Sequence, residues 1–269
     1  PYSIESALAL AYAGAEGDTR EEMARVLRFP ADDAPLQAGF AGLRTALAQV
    51  AEDSKRVADA RTKNGAPTDA IEWSAANRLF GQQDYVFRNT FLTLMRDGFA
   101  APFEALDFRT ATERSRVVIN TWVEEQTRQR IANLIPTGGL TEDTRLVLVN
   151  ALYLKAPWDT PFGKSGTALR PFHPTAGTSR DVPTMQRAGT MGHAVEDGIT
   201  IVTLDYLGNG LQFVIALPDA GQSIDAAAAR LTPAHFDRWA KLGATSRKSI
   251  ALYLPKFTVK GATVPLGQA

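Results

Sequence analysis

The chain has 269 residues, 29 Lys+Arg against 29 Asp+Glu, a hydrophobic fraction of 45% and no cysteine. This length makes one large domain or two small ones and buries roughly three quarters of its unfolded surface, so the core needs no staples. Zero net charge argues against a basic nucleic-acid binder or an acidic tail, and the missing cysteines exclude disulfides, thiolate metal sites, iron–sulfur clusters and a cysteine nucleophile.

In chain order, the opening reads as a helix capped by Ser3 and ending near Gly14. Its small apolar run, Ser6 to Ala15, lacks a basic leader and follows Glu5, so a buried helix is predicted rather than a signal peptide. No apolar run approaches the ~18 residues of a membrane helix. Overlapping capping-box patterns at Asp18 to Glu21 and Thr19 to Glu22 open a second helix through Met23, Val26 and Leu27. A third helix is predicted over 35–50, with 51–70 as helix end and loop because of Asn64-Gly65 and Pro67. A strand follows over 71–81, then a helix capped by Asn89, then a short strand over 102–108. Thr110 to Glu113 opens a helix whose apolar side runs from Val118 to Ile131 and Leu134 before Pro136 and the Gly138-Gly139 pair stop it.

Residues 145–158 predict a long strand, apolar from 146 to 154 except at Asn150. A buried amide there must find partners, because leaving it unpaired costs about 1–3 kcal/mol. The second half is β-rich, with hairpin signals at Asp197-Gly198 and Asn209-Gly210, short helices over 223–241, and a last strand bent at Pro255. Helices and strands come in blocks rather than in βαβ alternation, so the fold class is α+β.

Catalytic motifs are weak. Gly163-Lys164-Ser165 resembles the end of a P-loop, but Trp158 stands where the first glycine is required, and Thr167 spoils the alternative nucleophile elbow; a surface loop is the better reading. Glu124 and Glu125 are adjacent, hence about 100° apart on a helix, and do not form a carboxylate pair. His173, His193 and His235 have no metal-ligand spacing. Five basic residues between 31 and 63 (Arg44, Lys55, Arg56, Arg61, Lys63) face five acidic ones (Asp32, Asp33, Glu52, Asp53, Asp59), which leaves no net basic footprint. No metal, no cofactor, no nucleic-acid or membrane partner and no enzymatic activity are expected.

Six segments in order along the chain resemble the serpin family: PYSIESALALAYAGAEGDTREEM, AANRLFGQQDYVFRNTFL, INTWVEEQTRQRIANLIP, TRLVLVNALYLKAPWDTPF, DYLGNGLQFVIALPD and IALYLPKFTVKG. The resemblance implies a single serpin domain over 1–269, with three β-sheets, about eight or nine helices and a large mixed sheet A. It implies a suicide-substrate inhibitor of serine, or else cysteine, endopeptidases. Such an inhibitor traps its protease as an acyl-enzyme while a cleaved reactive loop inserts into sheet A, releasing stored strain. The alternative is a non-inhibitory serpin acting as carrier, chaperone or structural protein.

By position, Ser3 and Asn150 match the family's shutter beneath the opening sheet, while Trp158 and Lys155 match its breach, where insertion begins. None of these is expected to be catalytic, and the plainer roles of helix cap, satisfied core amide and packed aromatic stand beside the switch roles. Against the family pattern the first helix, the reactive loop and the C-terminal strands are missing. The expectation is therefore a domain truncated at both ends, with its reactive bond beyond Ala269 and the C-terminal remainder of the same polypeptide as a partner. Activation by heparin-like polyanions is not expected. The high Ala and Arg content and short connections suggest a bacterial source, and an extracellular or periplasmic location is expected, although the lack of cysteine does not decide the compartment.

Overall fold

The computed structural model describes residues 2–174 and 177–259. It contains eight α-helices and eight β-strands among these residues, in two compact units, Pro1–Ala156 and Pro157–Ala269.

Unit 1 is built on a three-stranded mixed sheet in the order β2-β1-β3. β1 (Glu72–Gln82) runs parallel to β2 (Phe103–Leu106) and antiparallel to β3 (Leu146–Lys155). The pleat sorts the side chains of β1 and β3 onto two faces. On one face Leu79, Leu146 and Leu148 pack with Ala9 and Leu10 of α1 (Tyr2–Gly14) and with Met95 and Phe99 of α4 (Asn89–Phe99). On the other, Phe80, Val147, Val149 and Ala151 pack with Ile119, Trp122 and Val123 of α5 (Thr112–Gln126). Arg78 belongs to this second face, where its guanidinium lies 5.0 Å from the Trp122 ring and pairs with Glu104 at 2.8 Å.

The helices depart from the sequence expectations in instructive ways. Ser3 lies inside α1 rather than capping it. α2 (Gly17–Leu27) starts from Glu16 with no side-chain cap, so neither predicted capping box forms. Arg20 is instead drawn away to pair with Asp33 at 2.6 Å and to lie 4.1 Å over the Tyr12 ring. α3 runs from Asp33 to Lys63, well past the expected end at 50. Its second half is held by Ser54 and Ala58, both buried, and by Gln49 and Arg56 bonding Asp53 on successive turns. α4 is preceded by Arg88, with Asn89 already inside the helix.

α5 begins at Thr112 and stops at Gln126, short of the expected Leu134. Its entry is made by Asp107, whose carboxylate accepts from the Thr110 hydroxyl and from the backbone N–H groups of Thr110 and Arg109. These bonds, that from the Thr110 hydroxyl first, hold the Asp107 pKa below its usual value. Arg128 and Gln129 adopt left-handed conformations (φ 52° and 61°) that no helix can pass through. The chain then turns back along α5. There Asn120 clamps Ile135, accepting from its N–H and donating to its carbonyl at 2.9 Å each.

In unit 2 the 17-residue β5 (Arg180–Glu196) is the spine. Its first part pairs with β4 (Ala168–Phe172), its middle with β8 (Arg247–Pro255), and its end with β6 (Ile199–Asp205), which pairs in turn with β7 (Gln212–Pro218). Because β5 is continuous, these strands form one hydrogen-bonded sheet, and the described residues hold two sheets where the resemblance implied three. Asp197 and Gly198 both take positive φ (50° and 74°), the geometry of a tight β5–β6 hairpin. Ile199 and Ile201 pack with Ala227, Trp239 and Leu242 from the short helices α6 (Ile224–Ala228), α7 (Pro233–Trp239) and α8 (Leu242–Thr245). Val202 and Leu204 face the opposite way, toward Met191. The final strand stops at Pro255, and its predicted continuation from Lys260 lies outside the described residues.

Candidate functional site

Asn150 sits in the middle of β3, directly opposite Asn77 of β1, on the face that carries Leu146 and Leu148. Its amide is satisfied on both sides. Nδ2 donates to Asn77 Oδ1 at 2.7 Å, and Oδ1 accepts from the hydroxyl of Ser3 on α1. Asn77, 7% exposed, passes the chain on by donating from Nδ2 to the Phe99 carbonyl at 3.1 Å, at the end of α4. The series joins a helix beneath the sheet, two adjacent strands and a second helix end. All members lie in unit 1, and every donor and acceptor in the series has a defined direction. Burial lifts the Tyr2 hydroxyl pKa next to Ser3, and Tyr2 stacks at a tilt between Phe40 and Trp73, at 6.2 and 6.1 Å.

Ser3 and Asn150 are thus brought together, as the sequence reading grouped them. Asn77 was missed. It was legible as a polar side chain in an otherwise apolar strand, but only the register of β1 against β3 places it opposite Asn150.

Lys155 ends β3 and does not join this series. Its ammonium bonds Asp69 at 3.1 Å and Glu72 at 3.3 Å, and these two carboxylates, Asp69 first, raise its pKa. Trp158 belongs to unit 2 and has wholly different company. Its ring stacks on Tyr206 at 4.6 Å and 7°, with Phe162 and Phe213 edge-on at 6.0 and 5.8 Å. The backbone fixes this arrangement. Trp158 bridges to Tyr206, Asp159 N–H donates to the Asp205 carbonyl, and Leu207 N–H donates to the Pro157 carbonyl. Residues 157–159 thereby extend the end of β6, and burial raises the pKa of Tyr206.

The weak catalytic motifs acquire ordinary positions. Gly163 precedes a 3₁₀ turn, Lys164–Gly166. Glu124 accepts from the Asn133 N–H at 3.3 Å, and His235 accepts from the Thr232 N–H at 3.0 Å in a capping box. Among the described residues no three His, Asp or Glu side chains are grouped to hold a metal ion, and no helix is long and apolar enough to cross a membrane.

A family model described as "Serpin (serine protease inhibitor)" matches residues 1–266. The chain belongs to the serpin family. It is 30% identical over 262 residues to human Serpin B4, covering 97% of this chain and 67% of that protein. To Serpin B6 of Pongo abelii it is 33% identical over 264 residues, covering 97% and 66%. Among solved structures, uncleaved ovalbumin superposes with a TM-score of 0.75 at 26% identity, over 95% of this chain and 64% of that one. A loop-inserted, cleaved ovalbumin mutant gives 0.76 at 26% identity, over 94% and 65%. The serpin chain described here thus spans about two thirds of the length of these relatives, and it matches the uncleaved and the loop-inserted forms equally well.

Proposed function

We propose that the protein to which this chain belongs inhibits serine endopeptidases as a suicide substrate, its cleaved reactive loop entering the unit 1 sheet alongside β3. The observation that supports this reading is the Ser3–Asn150–Asn77 series, which ties α1 to two adjacent strands of the unit 1 sheet. A strand added beside β3 would gain a ladder of hydrogen bonds, the return on which β-augmentation rests. Cysteine endopeptidases remain within the same chemistry, since both classes form acyl-enzymes.

Within this reading Ser3, Asn150 and Asn77 act as the shutter, a set of bonds that holds α1 against the sheet and must yield or re-form when the sheet takes a strand. Trp158 and Lys155 act at the breach, the aromatic stack and the Asp69–Lys155–Glu72 group each fixing its own segment at the entry end. The protein works outside the cytoplasm, at the cell exterior or in the periplasm, and needs neither cofactor nor polyanion.

The test is to mix the complete polypeptide with trypsin-, chymotrypsin-, elastase- and subtilisin-like proteases and to separate the products on a denaturing gel. A covalent band at the summed mass is expected, and mass spectrometry of the released C-terminal peptide then gives the reactive bond. Clean loop cleavage without such a band across the panel would refute the inhibitory reading and leave a non-inhibitory serpin.

A further inference from the structure

We infer that Asn209 is a site of spontaneous deamidation and that the fold makes it the reactive member of two chemically identical dipeptides. Asn-Gly occurs at Asn64-Gly65 and at Asn209-Gly210. In this dipeptide the backbone nitrogen of the glycine attacks the side-chain Cγ. The N–Cγ bond forms, the Cγ–Nδ2 bond breaks, and ammonia leaves carrying the amide proton. Water then opens the five-membered imide at either carbonyl, giving aspartate or isoaspartate. Water is the only co-reactant. Glycine is the favourable follower because it has no side chain to block the approach and lets the peptide rotate. In a folded chain the rate depends on whether that peptide can reach the attack geometry, and so on what its N–H is already bonded to.

The two sites differ in this respect. Asn64 closes α3, and its N–H is shared among the carbonyls of the last helical turn, Ala60 at 3.2 Å and Arg61 at 3.1 Å among them. The Gly65 N–H, which is the nucleophile, donates to the Thr62 carbonyl at 3.1 Å, and the next residue, Ala66, is bonded to Arg61 at 2.9 Å. Attack at Asn64 must first break the helix end.

Asn209 lies in the exposed β6–β7 connection at φ 59°, between Gly208 (φ 88°) and Gly210. Its own N–H donates to the Tyr206 carbonyl at 2.9 Å, and the Tyr206 N–H donates to the Leu211 carbonyl at 3.0 Å. These bonds fix the base of the connection and leave its tip between two glycines. Among the described residues none accepts a hydrogen bond from the Gly210 N–H. Among the described residues the nucleophile at this site has no hydrogen bond to break before attack. Either product adds a carboxylate near Asp205. Isoaspartate also inserts an extra backbone atom into the connection that begins at Tyr206, the ring stacked on Trp158.

The complete protein should be held folded in warm, mildly alkaline buffer made with heavy-oxygen water, and peptides mapped by mass spectrometry at intervals. Label is expected at position 209 about fivefold faster than at 64, the rate equivalent of one net hydrogen bond. Unfolding in urea should erase the difference. Gly210→Ala should slow labelling at 209 and leave 64 unchanged, and Asn209→Gln should remove the fast phase without reference to the turn's glycine. Equal rates in the folded protein, faster labelling at 64, or no label at 209 where the unfolded chain acquires it would each overturn the assignment.

Discussion

Around Asn150 three polar side chains satisfy one another in series. Around Trp158 three aromatic side chains pack on one indole. The first group works by direction. Each bond needs a named donor and acceptor at fixed geometry, and a missing member leaves its neighbours unpaired in the interior. The second works by area and shape, with a stacked and two edge-on contacts that tolerate small displacements. The polar series can occupy one arrangement or break, whereas the aromatic group can give ground gradually. Discrete behaviour is therefore expected of Asn150 and its partners, and anchoring of Trp158 and its neighbours.

The largest effect that bears on this contrast is expected from Trp158→Ala in the complete protein, a loss of about 3 kcal/mol, at the low end for a large aromatic because Trp158 is only part-buried. Trp158→Phe should recover more than half of it, as a graded, area-based contact requires. Denaturant unfolding measures both, and an all-or-none result with Phe as damaging as Ala would break the distinction. Asn150→Ala comes next, costing about 1–3 kcal/mol because it strands the Asn77 carbonyl oxygen and the Ser3 hydroxyl. It should also promote polymers or latency on mild heating. An unchanged melting temperature with no polymers on a native gel would remove the shutter role. A double-mutant cycle between Asn77 and Asn150 sharpens the point, since directional partners should couple by about 1 kcal/mol.

Smaller effects lie away from both groups. Gln129→Gly relieves a left-handed residue at the end of α5 and should raise stability by about 1 kcal/mol, read from the denaturation midpoint. A destabilised variant would mean that the Gln129 side chain contributes more than its backbone costs. The smallest concerns Glu196. Its hydrogen bond from Arg238, with a further one from Trp239, depresses its pKa. A depressed carboxylate adds stability above its unfolded pKa of about 4.3 and loses it as pH falls through the lower folded value. Glu196→Gln should therefore lower the melting temperature slightly at neutral pH, by the equivalent of under about 1 kcal/mol, and the gap to the unmutated protein should close in acid. A gap that persists below both pKa values would mean that charge is not its source.

Much of this was legible in the sequence where period and punctuation agreed. β1 lies within one residue of its expected bounds, β3 starts one residue late and ends three short, and the Asp197-Gly198 hairpin forms where its turn residues sit. The errors fall where tertiary contacts outvote local signals. Arg20 serves Tyr12 and Asp33 rather than a helix start, and α3 continues past 50 because Ser54 and Ala58 find a buried face. The helical pattern through Ile131 and Leu134 is interrupted by two non-glycine residues at positive φ, which no propensity announces. At the candidate site, Ser3 and Asn150 could be grouped from position alone. Asn77 could not, because its partnership is a fact of strand register, and Tyr206 could not, because its stacking depends on residues 157–159 extending β6.

The facing asparagines also bear on how the two strands align. A slip of β3 by one residue along β1 would swing Asn150 to the α5 side, the side of Phe80 and Trp122, and part it from both Asn77 and Ser3. The facing pair thus keys β1 and β3 to one register, as a single ward keys a lock.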